Sequence, residues 1–299
     1  MKHTRKLPFA AAMVFFTAGI VHAIPVSDGL QLHLDASDAG SFTLSNGSVD
    51  EWRSTVNDIE FTPVSGTAAP VRQSDVVNNL SAVLFDGSSL QTFSPDALGM
   101  TNDISGITFF GVGWNQGGGA QLYTRISTGD PDASPNVARA MFYRATNDHR
   151  IGGRRLDGDG FQAINTPNSD NPSRLEEEWG IDSGYLDYAN ASAAFFIGGE
   201  QLAFTDSFQT PGNTSPTDSN EVRIGSNMAD GQMWDGYIAE FIVYDRVLTD
   251  AEMFEVGSYL GDKYDLAYIP EPSTYALVFG AAGLLLAGFL RRMRIKRKV

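Results

Sequence analysis

The chain has no cysteine among its 299 residues. Disulfides, thiolate nucleophiles and Cys-ligated zinc are therefore excluded, and any fold must hold by its core alone. Histidine is nearly as scarce. Two of the four, His3 and His22, fall in the first 23 residues, and the remaining His33 and His149 are too few for a His-rich zinc site. Basic residues are sparse wherever the chain is long. Nine of the 21 Lys+Arg sit in the two ends and only Glu271 among the acids does, so residues 24–269 hold 12 basic and 35 acidic residues, net −23. That balance excludes nucleic acid as a partner, because phosphate binding needs a basic footprint. It favours solubility outside the cell and suits divalent cations as counter-ions. No G-x-S-x-G is present, and the glycines of "WNQGGGAQ" are not followed by G-K-[ST], so neither a hydrolase elbow nor a phosphate loop is encoded. No uncharged apolar run reaches the roughly 20 residues of a bilayer span.

Two shorter apolar runs nevertheless stand at the ends. Lys2, Arg5 and Lys6 precede Leu7 to Val21, which closes on Val21-His22-Ala23. A basic start, a short apolar run and a small-residue site make residues 1–23 a secretory signal peptide, with a mature chain beginning near Ile24. At the other end, Tyr275 to Leu290 carries no charge and is followed by Arg291, Arg292, Arg294, Lys296, Arg297 and Lys298. A run apolar on every side wants lipid, snorkelling arginines lengthen it, and a basic cluster stays cytoplasmic. Residues 275–290 are read as a single transmembrane helix. Just before it, Pro270-Glu271-Pro272 keeps the backbone extended outside the membrane, within reach of a processing enzyme.

These three parts in this order, Pro270-Glu271-Pro272, one span, then Arg291 and Arg292 opening a basic tail, resemble the PEP-CTERM sorting signal of Gram-negative bacteria. The resemblance covers residues 270–299. It implies an exosortase partner, transient anchoring in the inner membrane, and delivery to the cell surface of a bacterium that makes exopolysaccharide and biofilm.

Between the ends the sequence reads as many short strands. Leu30 to Leu34 alternates with period two, and Ser81 to Phe85 stops at the turn pair Asp86-Gly87. Ile107 to Trp114, Ala120 to Ile126, Val137 to Tyr143, Ser192 to Ile197, Val222 to Ile224 and Gly236 to Tyr244 continue the pattern. Such spacing indicates an all-β sandwich or barrel. One helix interrupts it. Thr249-Asp250-Ala251-Glu252 has the form of a capping box, Met253, Phe254, Val256, Tyr259 and Leu260 follow at helical spacing, and Gly261 is the expected stop.

The segments "GLQLHLDAS", "AVLFDGSSL", "ITFFGVGW" and "DGYIAEFIVYDRVLTDAEMFEVGSYLGDKY" resemble a LamG-like, concanavalin A-like lectin domain. Gly236, Ile238, Glu240, Tyr244, Arg246, Leu248 and Glu252 carry the resemblance most specifically. It implies an antiparallel jelly-roll sandwich over residues 24–269, with a concave face that binds glycans or proteins.

Candidate chemistry is thin. Asp157 and Asp159 of "DGDG" are candidate calcium ligands, but the loop lacks the remaining EF-hand oxygens, and Asp-Gly is also a hairpin dipeptide. No other cofactor is implied. The E-x-D-x-x-E pattern of jelly-roll glucanases is absent, and the i, i+2 acid pairs fall in turns or acidic runs, so no catalytic residue is assigned. Aromatic rings suit sugar stacking. Trp179, Trp234 and Tyr237 are the candidate ligand-binding residues, whereas strand rings such as Trp114 are expected in the core. The expected function is a non-catalytic glycan-binding or adhesion protein of the cell surface. A hydrolase with an unrecognised acid pair, or a structural matrix protein, is the alternative.

Overall fold

The computed structural model describes residues 23–116, 120–128, 138–145, 149–166, 177–217, 220–226 and 232–269. In chain order the strands are β1 Leu30–Asp35, β2 Phe42–Ser45, β3 Ser48–Arg53, β4 Glu60–Pro63, β5 Val71–Val77, β6 Leu80–Asp86, β7 Leu90–Thr92 and β8 Gly106–Asn115. They continue with β9 Ala120–Thr128, β10 Ala138–Ala145, β11 Arg150–Gly153, β12 Gln162–Asn165, β13 Gly180–Asp187, β14 Ser192–Ile197, β15 Glu200–Thr205, β16 Asn220–Ile224 and β17 Asp235–Tyr244. One α-helix, α1 Asp250–Tyr264, follows. Every pairing is antiparallel, as the all-β reading expects.

The strands form two layers. The first runs β15-β14-β13-β8-β17-β6-β5-β3-β2, with β1 also lying against β17 beside the end of β6. The second runs β12-β11-β10-β9-β16-β7-β4, and the pairing of β4 with β3 joins the two. Inward residues of both layers, including Leu32, Leu34, Phe85, Ile126, Val222 and Phe241, make one buried core. Rings meet across it: Phe109 of β8 lies 5.5 Å from Phe142 of β10, and Tyr123 of β9 6.1 Å from Phe241 of β17.

The packing of these rings explains two glycines. A Cβ at Gly113 would lie 2.7 Å from the Trp234 ring and 2.6 Å from the Tyr123 hydroxyl, so only glycine lets β8 pass over that pair. Gly236 has φ +144° and faces the Trp114 carbonyl too closely for any side chain.

The middle of the first layer is buried on both faces. Phe110, Val112, Ile181, Ala239 and Ile242 point away from the inner core and are covered by Met253, Val256, Leu260 and Tyr264 of α1. That is why Gly106–Asn115 reads as a continuous apolar run and not an alternating one. The closing segment anchors this cover. Thr249 and Glu252 form the expected capping box. Arg246 grips Glu252 through two bonds of 2.9 and 2.7 Å, and the Tyr244 hydroxyl donates to the Val26 carbonyl at 3.0 Å.

The helix does not stop at Gly261. It continues to Tyr264 and ends on Asp265, whose φ of 55° supplies the left-handed cap. Gly261 is instead a contact point, where a Cβ would meet the Leu266 carbonyl at 2.9 Å. The extra turn places Lys263 and Tyr264 against the sheet. Among the described residues no helix is long and apolar enough to cross a membrane. The expected span 275–290, the motif Pro270, Glu271 and Pro272, and Arg291 and Arg292 lie outside the described residues, as does most of the expected signal segment.

Replacing the cap tests the tie between turn and helix. Thr249→Ala should lower unfolding free energy by about 1 kcal/mol with an unchanged denaturant slope, read by urea titration followed by fluorescence.

Candidate functional site

The outer face of the first layer divides in two. Helix α1 covers one half. The other carries a band of half-buried rings, built by register. Tyr237 of β17 sits directly opposite Trp114 of β8 on one side and Leu84 of β6 on the other. Gly180 pairs with Gly113, which brings Trp179, the residue before it, alongside. The Trp114 and Tyr237 ring centroids are 5.8 Å apart, and those of Trp179 and Tyr237 are 6.1 Å apart. The Tyr237 hydroxyl donates to Gln73 Oε1 at 3.0 Å, fixing the ring edge. Asp235 and Asp86, two residues along the same face, lie directly opposite each other. Flat apolar ring faces beside carboxylate and amide acceptors can hold a sugar by stacking and hydroxyl hydrogen bonds.

Of the expected ring residues, two meet here and one does not. Trp179 and Tyr237 come together on the outer face. Trp234 points the other way and is wholly buried. Its ring lies 4.2 Å from that of Tyr123, beneath the Arg144 guanidinium at 5.7 Å, and its Nε1 donates to the Tyr237 carbonyl. The expectation that it binds ligand is corrected: an indole sealed between two sheets presents no face to a sugar. Trp114, expected in the core, takes its place in the band. Phe110 and Val112, on the same face of β8, carried the signal, since alternation puts Trp114 with them and opposite Phe109.

Asp157 and Asp159 lie in the connection of the β11–β12 hairpin. Asp157 Oδ1 accepts from Arg139 Nη2 at 2.9 Å, and Arg154 Nη2 lies 3.7 Å away. Asp159 Oδ2 accepts from the Leu156 N–H at 2.9 Å. Both carboxylates thus have partners within the loop and β10, which accounts for the loop as a turn.

A second cluster was not visible in the sequence. Asp35 of β1 faces Glu240 of β17 in register, and Glu240 is completely buried beneath α1. Its two oxygens accept from four groups: His33 Nε2 at 2.8 Å, the Tyr259 hydroxyl at 2.9 Å, Lys263 Nζ at 2.6 Å and the Tyr264 hydroxyl at 2.8 Å. Lys263 also donates to Asp35 Oδ2 at 2.7 Å, and the Thr55 hydroxyl meets His33 Nδ1 at 2.7 Å. Burial alone would raise the Glu240 pKa, but the His33 hydrogen bond and the Lys263 charge outweigh it and bring the group down to about 2. Burial likewise opposes the Lys263 charge, yet Glu240 and Asp35 hold its pKa above the ordinary lysine value.

Oxygen and nitrogen atoms of His33, Asp35 and Glu240 lie within 4.8 Å of one another, a spacing that could suit a metal. The Lys263 ammonium already bridges the two carboxylates, so the protein provides the cation itself. A general acid needs a pKa raised toward neutrality and access to substrate. Glu240 has neither. Beside the cluster a cavity of about 770 Å³ is lined by His33, Asp35, Asp38, Asn78, Asp262 and Lys263, among others.

No family model matches the chain, and no curated protein matches it. Solved structures do resemble it. The receptor-binding domain of botulinum neurotoxin C/D mosaic serotype aligns at TM-score 0.52 and 8% identity, over 78% of this chain and 51% of that one. The botulinum neurotoxin serotype G binding domain aligns at TM-score 0.52 and 14% identity, over 78% and 51%. A structure of botulinum neurotoxin type C, whose cell entry depends on interaction with two ganglioside molecules, gives 0.52 and 11% over the same shares. The chain spans about half the length of each of these. At such identities the likeness establishes the fold alone, an antiparallel β-sandwich.

Glu240 should leave a mark on acid stability. Its folded pKa lies below the free value, so its contribution is complete above the ordinary carboxylate pKa and is lost as pH falls through about 2. That loss, on the order of 3 kcal/mol, should appear in unfolding measured between those limits. In Glu240→Gln this acid limb should flatten, and stability at neutral pH should drop by about 3 kcal/mol or more, because Lys263 keeps only Asp35.

Proposed function

We propose that this protein is an exported glycan-binding or adhesion module, a lectin-like jelly roll that holds sugar on the outer face of its first sheet. The observation that carries the reading is the ring band: Trp114, Trp179 and Tyr237 are partly exposed, and the Tyr237 ring lies 5.8 Å from that of Trp114 and 6.1 Å from that of Trp179. Rings of this size are otherwise driven into cores, so a partly exposed cluster on a rigid sheet fits a stacking surface. The ganglioside interaction of botulinum neurotoxin type C supports the reading by analogy of fold. We assign no catalytic role to Asp35 and Glu240, an acid pair in register whose carboxylates Lys263 bridges.

Delivery belongs to the same proposal. Residues 1–23 act as a signal peptide. Residues 270–299, with Pro270, Glu271, Pro272, Arg291 and Arg292, act as an exosortase-read sorting signal that anchors the chain transiently in the inner membrane and passes it to the cell surface. The strong acidity of residues 24–269 suits a soluble life there, among exopolysaccharide.

Binding to immobilised polysaccharides and to the producing cell's exopolysaccharide tests the first part. Trp179→Ala and Tyr237→Ala should each weaken binding by about 10-fold or more with an unchanged far-UV circular dichroism spectrum. Equal retention by wild type and both variants would reject the site. Intact mass of the protein recovered from the cell surface tests the second part. A product beginning near Ile24 and ending near Pro270 is expected, whereas the unprocessed 299-residue chain would reject processing.

A further inference from the structure

The ring band has a charged border, and its sign is uniform among the described residues. Asp86 and Asp235 face each other across β6 and β17, on the same face as Leu84 and Tyr237 and one step beyond them. The pairing concentrates two carboxylates at this edge of the band. On the opposite flank, Glu177 and Glu178 are exposed and immediately precede Trp179. The Glu177 N–H donates to the Asn115 carbonyl at 2.8 Å, which holds that acidic segment beside the end of β8 and the Trp114 ring.

The described cations are committed elsewhere. Arg72, the nearest in sequence to Gln73, turns to stack on Phe42 at 5.1 Å and donates to the Ala36 carbonyl. Arg53 pairs with Glu51 and Glu60, Arg246 with Glu252 and Asp28, and Lys263 with Glu240 and Asp35. Arg125, Arg139, Arg150 and Arg223 lie on strands of the second layer, and Arg154 and Arg155, just after β11, reach Asp157 and the Asn213 carbonyl. Arg144, also of that layer, reaches between the sheets to Asp182.

We infer that the band selects glycans that carry no acidic group and excludes those bearing carboxylate, sulfate or sialic acid. This deepens the glycan-binding reading above and rests on it. The rings bind any sugar with an apolar face. The four carboxylates then accept hydroxyl or protonated-amine hydrogen bonds from a neutral or amino sugar and repel an anionic one. The net −23 of residues 24–269 extends the same repulsion beyond contact distance at low salt.

The test uses the full chain and chemically matched probes: dextran against carboxymethyl-dextran, cellulose oligosaccharides against carboxymethyl-cellulose, and lactose against sialyllactose. Each is measured at low and high sodium chloride. Neutral members should bind at least about 10-fold more tightly than their acidic partners. The gap should narrow at high salt and in Asp86→Asn, and further in the Asp86→Asn/Asp235→Asn double variant. Asp86 is exposed, so the single variant remains informative if the double one is unstable. Acidic members bound as tightly as neutral ones, with that binding lost in Trp179→Ala, would overturn the selectivity and leave the ring band standing. Failure of every probe to bind, or binding indifferent to Trp179→Ala, would overturn the glycan-binding reading and this inference with it.

Discussion

A carboxylate sealed away from water must bring its counter-charge with it. Glu240 sets that demand at the centre of the first sheet. It meets the demand with four groups from two elements: His33 on β1, and Tyr259, Lys263 and Tyr264 on α1. The consequences spread outward. Helix α1 must run one turn past Gly261 to deliver Lys263, and it must lie flat on the sheet to do so. Asp35, directly opposite Glu240, shares the same ammonium, so the first and last strands of the body are clamped by charge as well as by backbone. Glu240, one of the residues that carry the lectin-domain resemblance, is in this fold a fastening.

Where that fastening puts the helix decides where the sheet stays open. The apolar residues Phe110, Val112, Ala239 and Ile242 vanish beneath α1, while the row through Trp179, Trp114, Tyr237 and Leu84 does not. The inner face makes its own contribution. Gly113 lets Tyr123 and Trp234 press against β8 from inside, which keeps the strand flat where its outer side carries Trp114. Rigid strands on both sides give the rings a fixed spacing. Under the proposed glycan-binding reading that fixed spacing is an advantage, since less ordering is needed on the protein side.

Charge then acts on what the rings alone would accept. Stacking is permissive because every pyranose has an apolar face, so discrimination has to come from the border. The carboxylates of Asp86, Asp235, Glu177 and Glu178 supply one sign there, consistent with the acidity of residues 24–269 as a whole. In the proposed reading, the same acidic composition that favours solubility would narrow the choice of ligand.

Much of the fold was legible residue by residue. The alternation in Leu30 to Leu34, the apolar run Ile107 to Trp114 and the capping box at Thr249 all act over a few positions, and β1, β8 and α1 lie where those signals put them. Strand β13, Gly180–Asp187, was missed because three of its inward positions, Gly180, Asp182 and Gly184, are small or polar and leave only Leu186 as an apolar signal on that face. Trp114 and Trp234 could not be told apart in sequence, since the face each ring takes depends on strand pairing. Glu240 and His33 are 207 residues apart, so no local pattern could join them. The sequence by itself determined a cysteine-free, acidic, many-stranded body with one capped helix, because period, turn chemistry and capping are local forces. Only the tertiary structure decided which rings face outward and which acids are bridged, because side-chain facing follows from pairings between distant strands and from a single bulge between Ile238 and Glu240 that turns Glu240 toward the helix.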